Sequence, residues 1–175
     1  MILGLDISTS ITGYTLIDGD EVILNSAWDT RKYKDFFEKV IHVKAGLEEI
    51  YSQYGKQITA VYIEQSLQSF RSGFSSAKTL STLSRFNGIV SWIVFDQYKI
   101  KPEYLAATSA RKLCGIRVPR GEKAKAVVLK FLLDNEPAFV LEYTRYGNPK
   151  PECYDKADSM VIAKAGVICE RKNSK

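Results

Sequence analysis

The sequence is poor in the residues on which soft-metal and nucleophilic chemistry depends. A single histidine, His42, stands alone in 175 residues, and the three cysteines (Cys114, Cys153, Cys169) are scattered and odd in number. That set supplies no Cys-x-x-Cys pair and no disulfide framework, and it sets aside most zinc sites and Ser-His catalysis. Scattered, unpaired thiols point to a reducing cytoplasm. Long apolar runs are lacking too, each being broken by Lys, Asp or Gly before it could span a bilayer, so no membrane association is expected. The opening MILGLDIST has no basic leader and reads as a strand, not a secretion signal. There is no internal repeat and no low-complexity segment. The length itself predicts one compact domain over 1–175, too short for two nucleotide-binding lobes. Hydrophobic residues at 45% and charged residues at 26% describe an ordinary globular chain able to bury a core without staples.

Periodicity divides the chain into alternating elements. Ile2–Ile7 is a short apolar strand emerging into the polar turn Ser8-Thr9-Ser10, and Gly13–Ile17 and Glu21–Ala27 are two further strands joined by Asp18-Gly19-Asp20, a hairpin signal. From Tyr33 the spacing turns helical, with Phe36, Phe37, Val40, Ile41, Leu47, Ile50, Tyr51 and Tyr54 recurring and Gly55 as the stop. The β-branched run Ile58–Ile63 predicts a buried strand ending at Glu64. A second helix is expected over Ala77–Tyr98, with Leu80, Leu83, Ile89, Ile93 and Val94 inward. A short strand Glu103–Ala107 follows, then a brief helix capped by Thr108 or Ser109 and ending at Gly115. Glu122–Asn135, with Val127, Val128, Phe131 and Leu132 inward, and Tyr154–Glu170 are the last helices, separated by a stretch rich in proline. Three leading strands followed by alternating helix and strand give an α/β domain with a mixed sheet and helices on both faces.

Charge is distributed informatively. Twenty-five Lys and Arg against twenty Asp and Glu leave a net charge of +5. Arg111, Lys112, Arg117, Arg120, Lys123 and Lys125 are opposed only by Glu122. Alone, this stretch reads equally well as a solvated face or as a phosphate-binding surface. The carboxylates favour the second reading. Asp6 interrupts an apolar strand, Glu64 closes another, and Asp155 and Asp158 lie three apart at a helix start, on one face. Each has a local explanation (turn capping, the first exposed residue after a strand, the helix dipole), but four together are harder to explain without a shared task. Converging carboxylates without histidine suit hard cations, Mg²⁺ with Mn²⁺ as a substitute, and two such ions can drive in-line phosphodiester hydrolysis.

The segments ILGLDIST, VYIEQS, GEKAKAVV and YDKADSMVIA, in this order, resemble the RuvC family of Holliday-junction resolvases in the ribonuclease H-like superfamily, across nearly the whole chain. The resemblance implies a five-stranded ribonuclease H-like sheet with its first three strands antiparallel. It also implies a homodimeric, metal-dependent endonuclease for four-way DNA junctions. Its catalytic and metal-binding residues would be Asp6, Glu64, Asp155 and Asp158, with a basic role for Lys125 (Lys123 being the alternative). Three departures suggest a divergent phage or organelle-type member with broader branched substrates: Ser8 and Thr9 in place of a Pro-Gly turn, a longer segment after Glu64, and a longer approach to Asp155 over Arg145–Pro151.

Rival readings are fewer. LGLDISTSITGYTLID also resembles the first phosphate motif of sugar kinases and actin-like ATPases, but the second lobe and its glycine-rich loops are missing. A ribonuclease H or transposase-type nuclease acting on flaps or RNA/DNA hybrids would use the same four acids. An inert branched-DNA binding module would have no reason to keep like charges clustered. In the polar stretch after Glu64, Phe70, Arg71 and Phe74 are candidate DNA contacts, either phenylalanine serving as a wedge that stacks on junction bases. Tyr143, Arg145 and Tyr146 are expected to anchor their loop or pack on the core in preference to touching DNA, and Ser8, Thr9 and Ser66 to cap turns. The apolar surplus at the end of the second helix (Ile89, Val90, Trp92, Ile93, Val94, Phe95) is divided between sheet burial and a dimer contact.

Overall fold

The computed structural model describes residues 1–65 and 77–173. Three strands open the chain: β1 (Ile2–Asp6), β2 (Ile11–Asp18) and β3 (Glu21–Asp29). The two-residue turn between β2 and β3 needs a left-handed residue, and Gly19, at φ 61°, provides it. Helix α1 (Phe36–Tyr54) begins later than the apolar pattern suggests, because the Asp35 side chain accepts from the backbone N–H groups of Phe37 and Glu38 and so fixes the start. Strand β4 (Ala60–Glu64), helix α2 (Ala77–Tyr98) and strand β5 (Glu103–Leu105) follow, then α3 (Ala107–Leu113), α4 (Ala124–Asn135) and α5 (Glu152–Asn173). The expected cap at Thr108 or Ser109 is corrected: both lie within α3, and Ala106 holds the cap position without a side-chain bond.

The strands form one sheet in the order β3-β2-β1-β4-β5, antiparallel among the first three and parallel across β1-β4-β5. Helices cover both faces, the α/β arrangement expected. Alternation sorts each strand's side chains between two cores. Leu3, Leu5, Val61 and Ile63 join Val43, Leu47, Phe86 and Val90 beneath α1 and α2. Ile2, Ile17 and Tyr62 join Leu132, Met160 and Ile162 beneath α3, α4 and α5. The helical stripe of α1 is narrower than the sequence suggests. Phe37 and Ile41 sit one residue, about 100°, beyond Phe36 and Val40 and are exposed. Tyr51 is likewise exposed, while Phe36 and Tyr54 pack partly buried against the core. On α2, Val90, Ile93 and Val94 are buried, whereas Trp92 and Phe95 face outward. No helix among the described residues is long and apolar enough to cross a membrane.

Helix α5 lies unusually close to the sheet, and glycine makes that possible. A Cβ at Gly4 of β1 would stand 2.5 Å from the Ala163 backbone nitrogen, and one at Gly13 of β2 would overlap the Asp155 carbonyl. A buried polar cluster then fixes the helix in place. Thr15 Oγ1 and Ser159 Oγ are 2.9 Å apart, and Asn25 Nδ2 donates both to Thr15 Oγ1 (2.8 Å) and to the Lys156 carbonyl (2.9 Å). At the end of β3, Arg31 is held by Asp29 at 2.6 Å and pairs with Glu152 in the first turn of α5.

Candidate active site

Strand parity decides where the first two acids point. Asp6 follows Ile2 and Gly4 on the face of β1 that α5 covers, and Glu64 follows Tyr62 on the same face of β4. The parallel register pairing Gly4 with Tyr62 and Leu5 with Ile63 brings the two carboxylates to neighbouring strand ends. Helix α5 lies across those ends and delivers Asp158. Asp6, Glu64 and Asp158 each place one carboxylate oxygen within 4.8 Å of the other two. Asp155, one turn earlier, is half-buried and outside that convergent trio, although its charge is felt by both Asp6 and Glu64.

Burial and mutual repulsion push these groups towards the protonated form. Desolvation, then the charges of Glu64, Asp158 and Asp155, holds the Asp6 carboxyl well above the usual carboxylate range. Desolvation and Asp158 push Glu64 up to about 7, although Arg111 and Lys125 pull the other way. Burial likewise raises Asp155 to about 6 against the opposing pull of Lys125, and raises Asp158 against Lys125 and Arg111. Lys125, in the first turn of α4, thus acts on all four acids, and its Nζ stands 5.6 Å from the centre of the Tyr154 ring. Three half-buried carboxylates disfavoured as neighbouring anions form an all-oxygen donor set of the kind hard divalent cations take. The residues present therefore fit a metal ion.

The other basic residues fall around this centre. Arg111 and Lys112 close α3, and with Thr108 and Arg117 they line a cleft of about 480 Å³. Lys112, Arg117, Arg120 and Lys123 are exposed, and none forms an ion pair with another described residue. Lys123 takes the cap position of α4, and it is Lys125 whose charge reaches the acids. Ser8 caps its turn as expected, its Oγ accepting from the backbone N–H groups of Ser10 and Ile11. Phe70, Arg71, Phe74 and Ser66 lie outside the described residues. Tyr143 and Tyr146 do not pack on the core: they are 57% and 73% exposed.

Sequence reasoning missed the residues that aim α5: Gly4, Gly13, Thr15, Asn25, Ser159 and the Arg31–Glu152 pair. A threonine and a glycine on the same alternation as the apolar Ile17 of β2 were the available signal.

No protein-family model matches the chain, and no curated protein matches it in sequence. Among solved structures, the Thermus thermophilus RuvC in complex with a Holliday junction substrate is similar, with a TM-score of 0.69 and 14% identity over 99% of this chain and 96% of that one. Another T. thermophilus RuvC structure has a TM-score of 0.62 and 17% identity, covering 98% of this chain and 96% of that one. The yeast mitochondrial Holliday junction resolvase Ydc2 has a TM-score of 0.61 and 16% identity, covering 99% of this chain and 82% of that one. The chain has the RuvC-type, ribonuclease H-like fold.

Proposed function

We propose that this protein is a metal-dependent endonuclease that cuts branched DNA, four-way junctions above all, by phosphodiester hydrolysis. The observation that carries this reading is the meeting of the Asp6, Glu64 and Asp158 carboxylates within 4.8 Å at the strand ends of a RuvC-type fold. Those three residues would hold Mg²⁺ or Mn²⁺, with a second ion sharing Asp155. The bound ions would polarise the phosphate and lower the pKa of water at the site. Asp155, outside the trio, would serve either as a further ligand or as the group that orients the attacking water. Lys125 and Arg111 would offset negative charge developing on the phosphate. Arg111, Lys112, Arg117, Arg120 and Lys123 would hold the duplex arms through phosphates, which positions DNA without reading its sequence. Raised carboxyl pKa values mean that metal must displace protons, so affinity for it climbs as pH rises.

Resolving a four-way junction takes two nicks, and the described residues of one chain form one such acidic centre. A two-fold homodimer would present two, and the exposed Trp92 and Phe95 of α2 would supply apolar surface for that pairing. Cytoplasmic DNA would be the substrate pool. Cleavage of four-way, flap, linear and RNA/DNA hybrid substrates, with Mg²⁺, Mn²⁺, Zn²⁺ or EDTA, tests the proposal. The four-way junction should be cut fastest with Mg²⁺ or Mn²⁺, poorly with Zn²⁺, and not in EDTA. Undiminished cutting in chelator, or preference for a hybrid, would overturn it.

A further inference from the structure

Between α4 and α5 the chain builds a small hairpin closed by backbone hydrogen bonds. Tyr143 and Pro149 form an isolated antiparallel bridge. Lys150 N–H donates to the Glu142 carbonyl (2.8 Å), Thr144 N–H to the Asn148 carbonyl (2.8 Å) and Gly147 N–H to the Thr144 carbonyl (3.0 Å). Gly147, at φ 78°, occupies the one left-handed position at the tip. The root is tied to the catalytic helix. The Glu142 carboxylate pairs with Lys150 at 2.8 Å and with Lys156 at 3.4 Å, and Lys156 lies between Asp155 and Asp158. The Cys153 thiol packs 3.4 Å from the Glu142 backbone nitrogen.

The tip presents aromatic surface to solvent. The Arg145 guanidinium sits 4.6 Å from the centre of the Tyr146 ring and donates to its hydroxyl. With a cation on one face and 73% of the residue exposed, the rest of the ring is free to receive a flat partner. Neither side chain buries enough surface to serve the core, and a tyrosine with two torsions loses little freedom on contact. An aromatic face beside a fixed cation is the chemistry that receives an unpaired base and its phosphate. Junctions offer unpaired or easily unstacked bases where their strands part. The Glu142–Lys156 pair ties the root of the hairpin to the residue that follows Asp155, so the tip rises beside the helix that carries two of the acids.

We propose that this hairpin tip is a stacking platform for one extrahelical base near the cut, with Tyr146 supplying the ring and Arg145 the cation. The inference rests on the nuclease reading above and adds to it a substrate contact peculiar to this hairpin. The test uses the full-length protein, a synthetic four-way junction carrying 2-aminopurine at successive positions around the cut, and EDTA to prevent cleavage. Tyr146→Ala should bind about five- to a hundredfold more weakly. It should also lose the change in fluorescence that wild type produces at one or two positions, with its melting temperature unchanged. Tyr146→Phe should restore both readouts, because the ring and not the hydroxyl does the stacking. Arg145→Ala should weaken binding less and lower the salt dependence by about one ion. If wild type cuts junctions normally yet Tyr146→Ala matches it in affinity and at every labelled position, the platform is refuted and the tip is left as a protein-docking surface. If wild type neither binds nor cuts branched DNA, the nuclease reading itself has failed.

Discussion

Replacing Glu64 with glutamine should make the metal-free protein more stable while destroying its activity. The side chain keeps its shape and loses its charge. In the folded protein the Glu64 carboxyl stands at about 7 against an ordinary 4.5, chiefly because burial penalises the anion and Asp158 repels it. A folded-state value above the unfolded one means that its stabilising effect is complete below pH 4.5 and disappears as pH climbs through 7. At about 1.4 kcal/mol per pH unit, the interval amounts to about 3 kcal/mol by pH 8, which glutamine, neutral throughout, does not lose. For a domain of this size that is a rise of about 6–12 °C in Tm at pH 8, shrinking to nothing near pH 4. Calorimetric melts of both proteins in EDTA from pH 4 to 9 provide the assay. Saturating Mg²⁺ should then raise the Tm of wild type by more than that of the variant, since binding to the folded state alone stabilises it by about 3 kcal/mol at a hundredfold excess over Kd. Equal melting temperatures at pH 8, or a gain that does not vary with pH, would refute the argument that Glu64 is a buried, repelled anion.

Three further outcomes follow from the same geometry. Lys125→Ala should slow cleavage about a hundredfold and move the acidic limb of the pH–rate profile upward, because Lys125 opposes the raised carboxyls of Asp155 and Asp158; Lys125→Arg should recover part of the rate. Gly13→Ala should lower the urea midpoint by the equivalent of about 1–3 kcal/mol and reduce turnover with it, since the new methyl would overlap the Asp155 carbonyl and displace the start of α5. Trp92→Glu should turn a sedimenting dimer into a monomer and change the product from a cruciform plasmid from linear DNA to nicked circles, whereas an unchanged dimer would place the interface elsewhere.

Legibility differed sharply between the parts. Asp6 and Glu64 could be read because a carboxylate inside or at the end of an apolar strand conflicts with its surroundings, and the parity of β1 and β4 turns that conflict into a shared face. The sheet followed from three leading strands and a glycine turn. The anchoring of α5 could not be read in this way. Thr15 and Asn25 have the polarity of solvent-facing strand residues, and the partner that buries Thr15 is Ser159, 144 residues later. The faces of α1 were blurred because Phe36-Phe37 and Val40-Ile41 are adjacent apolar pairs, and only packing selects which member turns inward. For Tyr143 and Tyr146, an aromatic residue in a loop suggests core packing or loop anchoring; exposure rules out the first, and the hairpin closes through backbone bonds that their rings do not make.

The features of this site are mutually dependent. Half-buried carboxylates gathered from two strand ends and α5 repel one another, so a fold that keeps them together must hold α5 against the sheet by means the acids do not provide. Gly4 and Gly13 let the helix approach, and Asn25, Thr15 and Ser159 fix its rotation through the Lys156 carbonyl and the Ser159 hydroxyl. Arg31 fixes its first turn through Glu152. The fourth hold is Glu142, which grips the Lys156 side chain from the root of the exposed hairpin. Lys156 is therefore held on both sides, its carbonyl by the sheet and its ammonium by the hairpin, while its sequence neighbours place Asp155 and Asp158 in the site. DNA seated on the hairpin would bear on Lys156, which lies between Asp155 and Asp158, and a grip on the substrate would then be linked to the geometry of the carboxylates proposed to hold metal.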